Sequence, residues 1–189
     1  MAYLTRKEID DVGFKYVGCD VKISSLAIFY EPEKIIIGDY SRIDDLCIIS
    51  GNVDIGCFCH ITPFCLIAGG TEGVTLSSYV TLAYGVKVFS QSDDYTGSTM
   101  TNSIIPKKYK NEYCAKVEIR EHSIIGTNSI IMPGVVIEIG CSIGANSLVN
   151  KSTSSWGIYF GSPAKRVKNR KKELLNLVTK FESGLNNGT

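Results

Sequence analysis

Ile, Leu or Val recurs at every sixth position over most of this 189-residue chain, with a small side chain four places after each. Ile37-Gly38-Asp39-Tyr40-Ser41-Arg42 is one unit, and Ile43, Ile49, Ile55, Ile61 and Ile67 open the next five. After a slip of three residues the frame resumes at Leu76, Leu82 and Val88. It is lost from about Asp94 to Lys116, returns at Ile119, and runs on through Ile125, Ile131, Ile137, Ile143 and Val149. A period of six matches neither the 3.6 of a helix nor the 2 of an alternating strand. It matches a solenoid whose unit is one short strand plus one corner.

Three units close a triangular coil of about eighteen residues, and successive coils pair through parallel ladders. The opener points into the prism. The fifth position also points inward beside a tight corner and must be small. Ser41, Cys47, Val53, Cys59, Cys65, Val80, Val86, Ser92, Ser123, Ser129, Val135, Cys141 and Ser147 are assigned to it. Gly, Asp and Asn between them suit corners that need positive φ. Solenoid ends need caps. Thr5-Arg6-Lys7-Glu8 is a capping-box pattern for a short helix ending near Gly13. Val167, Leu174, Val178 and Phe181 lie at helical spacing, with Gly184 as the stop. This predicts a tail helix over the last coil or against a sister subunit. The expected division is a β-helix over 1–164, carrying the short helix and a loop at about 94–116, and a C-terminal helix and tail over 165–189.

The net charge of +1 argues against nucleic-acid binding through a broad basic field. No apolar run approaches the ~20 residues that span a bilayer, so no membrane insertion is expected. The opening residues do not read as a secretory leader, and the expected compartment is the cytoplasm. Four of the seven cysteines, Cys47, Cys59, Cys65 and Cys141, occupy the small inward position and read as core. The odd total favours free thiols, and Cys57-Phe58-Cys59 is a weak metal signal.

The hexapeptide run, the mid-chain loop and Gly161-Ser162-Pro163-Ala164-Lys165, in this order, resemble the left-handed β-helix acyltransferases. The likeness covers roughly residues 20 to 170. It is nearest to the sugar acetyltransferases and to the nucleotide-aminosugar N-acyltransferases of surface-polysaccharide (O-antigen) pathways. The resemblance implies an all-β, left-handed parallel β-helix; the general crossover rule alone would give the opposite hand. It also implies a homotrimer, with acetyl-CoA or another acyl-CoA as co-substrate in the groove between subunits and no metal in the chemistry. The pattern carries over Thr127 and Ala145 as backbone partners of pantetheine, Asn150 and Lys151 near the pyrophosphate, and Lys165 and Lys168 at the nucleotide phosphates. Cations suit a ligand with three phosphate groups.

One departure bears on the acceptor. Where the resembling O-acetyltransferases keep a histidine base, this chain reads Ser92-Asp93-Asp94-Tyr95-Thr96-Gly97. A sugar hydroxyl needs a base with a pKa near neutrality, and an ordinary Asp at about 3.9 is not one. An amine is already nucleophilic once deprotonated, and a carboxylate can hold its ammonium form and aim it. The expectation is N-acylation of a nucleotide-linked dideoxy amino sugar. Asp94 is the catalytic carboxylate, and Asp93 and Tyr95 contact the substrate. O-acetylation with His60 as base is the alternative. A non-catalytic or carbonic-anhydrase-like scaffold is the third reading, and two histidines cannot supply the ligands of the latter.

Overall fold

The computed structural model describes residues 2–186. Short parallel strands stack into three sheets that form the faces of a triangular prism. The first face carries six strands, among them Ile35–Ile37, Val53–Ile55, Val74–Leu76 and Val117–Ile119. The second is built on Arg42–Ile43, His60–Ile61, Thr81–Leu82, Ile124–Ile125 and Ser142–Ile143. The third runs through Ile48–Ser50, Leu66–Ala68, Lys87–Phe89, Ile130–Ile131 and Leu148–Val149.

The hexapeptide openers are the registered positions. Ile37 pairs with Ile55, which pairs with Leu76, then Ile119, then Ile137. Each is 0–1% exposed. Burying an aliphatic side chain this fully contributes about 1.5–3 kcal/mol over leaving it exposed, so the stacked columns dominate stability. The small fifth positions are buried beside them, with the exception of Ser92. There the frame had already broken. Ser92 lies in a two-stranded antiparallel ribbon, Gln91–Ser92 with Tyr113–Cys114, that carries the loop away from the prism. Ser90 is the buried serine at that point.

Both ends of the solenoid differ in difficulty. At the start the capping box is complete: Thr5 accepts from Glu8 N, Glu8 accepts from Thr5 N, and Gly13 closes helix α1 (Arg6–Val12) in the left-handed region. At the far end Val167 is not helical. Lys165–Asn169 is a strand, antiparallel to Gly157–Phe160, and finishes the second face. Helix α2 spans Leu174–Asn186 and contains Gly184 rather than stopping at it. Instead of covering the last coil, α2 turns back along the corner between the first and second faces. Phe181 meets Phe58 edge-on at 5.4 Å, and the Tyr79 hydroxyl donates to Glu182 at 2.7 Å.

That corner is an aromatic ladder. Tyr40, Phe58, Tyr79 and His122 all have positive φ, and their rings stack at 4.9, 5.1 and 5.1 Å. An L-residue pays roughly 1–2 kcal/mol for this conformation. Backbone bonds between coils hold it, such as Phe58 N to Asp39 O and Tyr79 N to Cys57 O, both 2.9 Å. Burial and the Glu182 hydrogen bond push the Tyr79 phenol up to about 12.

Candidate active site

The loop leaves after Lys87–Phe89 on the third face and returns to Val117–Ile119 on the first. It therefore stands on the corner opposite the second face. Its root is tied down by Ser90. The Ser90 hydroxyl donates to Gly69 O at 2.5 Å and to Ala68 O at 3.1 Å, and Ser90 O accepts from Ala115 N at 2.9 Å. The three-residue slip before Leu76 is the bulge Gly69–Gly73 beside this root, fixed by Asn52 Nδ2 donating to Gly70 O and Thr71 O. Gly70 sits at φ +49 with the Ser90 hydroxyl 3.1 Å from where a Cβ would stand. A side chain here would be strained and would press on the root.

Between bulge and loop lies a cavity of about 320 Å³. Ser50, Ala68 and Gly70 form its floor, and Gln91, Asp93 and Glu112 form walls. Asp93 and Glu112 also border a second cleft with Asp94, Tyr95 and Tyr113. Tyr95 is 90% exposed, at the rim. Asp94 turns inward to its own loop: Oδ1 accepts from Thr96 N at 2.8 Å, and Oδ2 accepts from Thr99 Oγ1 at 2.9 Å and Thr99 N at 3.2 Å. These bonds, those from Thr96 foremost, hold its carboxyl below the usual range. Asp93, by contrast, takes no side-chain hydrogen bond or ion pair among the described residues. Sequence reasoning singled out Asp93, Asp94 and Tyr95. It missed Glu112, Gln91 and the small-residue floor, because no local motif marks them; the slip at Gly69 was the one available signal.

His60 is on a strand, not at a corner. It lies on the second face, so one protomer does not bring it to the loop. Its Nε2 is 2.9 Å from Asp44 Oδ2, and Arg42 Nε is 2.6 Å from Asp44 Oδ1. The Asp44 side chain is 3% exposed. Burial works to raise its pKa, but the bonds from Arg42 and His60 outweigh that and hold it below the usual value.

The residues expected at coenzyme A fall on two lines flanking the third face. Thr127 and Ala145 stack at the corner between the second and third faces: Asn146 N donates to Thr127 O at 2.8 Å, and a Cβ on Gly126 would lie 2.5 Å from Ala145 N. The Gly161–Ala164 turn docks on the third face through Leu148 N to Gly161 O and Ala164 N to Leu148 O. It delivers Lys165 opposite Phe160, whose ring occupies the space beside Gly144. Lys168 is exposed further along the same strand, opposite Ile158. Asn150 and Lys151 are exposed on the other line, the corner that also carries the loop. Thr127 and Ala145 thus come together near the turn that carries Lys165, Lys168 follows on the same strand, and Asn150 and Lys151 stand apart on the other line in one protomer. Among the described residues no group of His, Cys, Asp and Glu is arranged to hold a metal ion, and no helix is long and apolar enough to cross a membrane.

The chain thus joins a parallel solenoid to a loop cavity at one corner and a basic turn at another. No family model matches the chain. It is 38% identical over 185 residues, 96% of each chain, to the dTDP-4-amino-4,6-dideoxy-D-glucose acyltransferase of Escherichia coli. The solved structure of AntD, an N-acyltransferase from Bacillus cereus in complex with dTDP and 3-hydroxybutyryl-CoA, is 38% identical with a TM-score of 0.96, covering 97% of this chain and 98% of that one. A galactoside O-acetyltransferase of Lactococcus lactis is 28% identical over 123 residues, 58% of this chain and 59% of its own. The chain belongs to the hexapeptide-repeat acyltransferases, in the branch that holds the dTDP-aminosugar N-acyltransferases. It is an enzyme that uses acyl-CoA.

Proposed function

We propose that this protein transfers an acetyl or similar acyl group from acyl-CoA to the amine of a dTDP-linked dideoxy amino sugar, for a surface polysaccharide such as O-antigen. The relatives support the nucleotide sugar, since the Escherichia coli protein is named for dTDP-4-amino-4,6-dideoxy-D-glucose. The observation that carries the choice of amine over hydroxyl is the loop cavity. It is walled by carboxylates, and no histidine lines it.

In the reaction the amine nitrogen attacks the thioester carbonyl, the carbon–sulfur bond breaks, and coenzyme A leaves as the thiol. The substrate arrives as an ammonium and loses one proton to solvent before attack; a second proton leaves the nitrogen as the amide forms and ends on the coenzyme A sulfur. Asp94, with its carboxyl held low, stays ionised and is a poor proton acceptor. Its role is to anchor positive charge and shape the loop, with Asp93 presenting the open carboxylate beside it and Tyr95 at the mouth. On the donor side, the backbone at Thr127 and Ala145 offers successive polar groups to pantetheine. Lys165 and Lys168 meet the nucleotide phosphates, and Asn150 and Lys151 approach the pyrophosphate from the neighbouring subunit's side of the groove.

That groove requires a second copy, and the working assembly is a homotrimer in the cytoplasm. What supports it is the third face. Ile28, Ile48, Leu66, Lys87, Ile130 and Leu148 register in one column on its outer side, apolar except for Lys87, next to exposed Leu46, Phe64 and Tyr84. An apolar surface of this extent is normally covered. In such an assembly a neighbour could bring His60 toward the loop, which is the route open to the O-acetylation alternative.

Asp94→Asn tests the reading. Turnover with the amino sugar should fall by about 10²-fold through lost positioning of the amine, with acyl-CoA affinity nearly unchanged, while His60→Asn costs less. A dead His60 variant beside a fully active Asp94 variant would move O-acetylation ahead.

A further inference from the structure

The return limb of the loop holds a buried ammonium with no task in the account so far. The Lys110 side chain is 6% exposed, and its Nζ lies 2.7 Å from Glu112 Oε1. The Glu112 side chain keeps 20% of its surface exposed, so the pair is dry only at the lysine; desolvation of that end offsets much of the attraction, and fixing one geometry is the better-attested use of such a pair. Glu112 is the geometry being fixed. With Asp93 it lines the cavity at the loop root and the neighbouring cleft, though not the wider cleft of about 690 Å³ further out along the loop. The bond from Lys110 holds Glu112 below the ordinary range, and Gln91, from the outgoing strand of the ribbon, lines the same cavity beside it.

The other limb is joined to it. Thr99 Oγ1 donates to Asp94 and accepts from Asn111 N at 3.2 Å, next to Lys110 in the chain. Met100 N donates to Tyr109 O at 3.0 Å. The two limbs therefore form one hydrogen-bonded frame around the cavity, and Lys110 is its buried pin.

Building on the N-acylation reading, we propose that Glu112 contacts the acceptor's ammonium opposite Asp93 and sets amine-over-hydroxyl specificity, and that Lys110 is the positioning residue that fixes it. An ammonium adds to its hydrogen bond a charge–charge attraction to a fixed carboxylate that a neutral hydroxyl of the same shape lacks. The preference therefore belongs to the carboxylate and not to the size of the cavity. The small floor of Ser50, Ala68 and Gly70 accepts either sugar.

The test compares dTDP-4-amino-4,6-dideoxyglucose as substrate with its 4-hydroxy counterpart as competitive inhibitor. Two proteins are made, Glu112→Gln and the double variant Lys110→Met with Glu112→Leu. The double variant replaces both charges by apolar groups, so neither is left buried alone. In both, KM for the amine should rise about tenfold or more. The inhibition constant of the hydroxy sugar and KM for acetyl-CoA should change less than about twofold, within the noise of a neutral contact. A third protein, Lys110→Arg with Glu112 intact, keeps a cation on the carboxylate and should retain most of the amine's affinity. An unchanged amine KM in both proteins overturns the assignment. So does a parallel loss for the hydroxy sugar, which would make the pair a loop brace alone. Failure of the unaltered enzyme to form an amide at all would strike the N-acylation reading itself; amide formation by it, with variants indistinguishable from it, strikes only Glu112 and Lys110.

Discussion

Asp44 and Asp94 show how one residue type takes two jobs in the same solenoid. Asp94 caps a loop from the surface, while Asp44 is buried between Arg42 and His60, two outward side chains of the second face. The folded pKa of Asp44 lies below its unfolded value of 3.8. Its contribution to stability is thus present above that pH and is lost as pH falls through the folded value. Asp44→Asn should destabilise the fold at neutral pH and flatten the loss of melting temperature on acidification below about pH 4. A variant with the same acid sensitivity as the parent would refute the linkage. The inward openers were legible in the sequence because burial repeats at the period of the coil. The ladder of Tyr40, Phe58, Tyr79 and His122 was not. Local rules assign positive φ to Gly, Asn and Asp, whereas these rings gain their stacking from residues a full coil away. Lys110 and Glu112, two apart on an irregular limb, form no motif either.

At the scale of elements, helix α1 followed its capping box, a reciprocal pair of local hydrogen bonds. The strand Lys165–Asn169 did not follow local pattern. Its residues pair with Gly157–Phe160 after the tight turn at Gly161–Ala164, and that tertiary pairing overrides the helical spacing of Val167 with Leu174. Gly184 lies in an exposed stretch of α2, where glycine costs only about 1 kcal/mol against alanine, so it does not end the helix. The strand puts Lys165 and Lys168 on one outward side, in register with Phe160 and Ile158. Lys165→Ala and Lys168→Ala should each weaken acyl-CoA binding several-fold to about tenfold, more so at low salt, without lowering the melting temperature. Unchanged affinity of both by calorimetry would detach this strand from the donor site.

For the whole molecule, the period read from sequence gave the parallel prism and located the loop. It did not say which corners share a site, because that depends on how copies meet. One protomer separates the loop carboxylates from His60 by the body of the prism, and splits the expected coenzyme A residues between two corner lines. The proposed trimer through the third face is the assembly expected to reunite them. Sedimentation at micromolar concentration should give a single trimeric species. Phe64→Glu together with Leu66→Glu should dissociate it and abolish activity; a fully active monomer would contradict the shared groove.

The most direct test is of the bond formed. Purified enzyme, acetyl-CoA and dTDP-4-amino-4,6-dideoxyglucose should yield free thiol and a sugar nucleotide one acetyl group heavier, with the acetyl on nitrogen by NMR and stable to hydroxylamine. The hydroxy counterpart should remain unacetylated under the same conditions. An ester on a sugar oxygen, or no transfer to the amine at saturating substrates, would contradict the account.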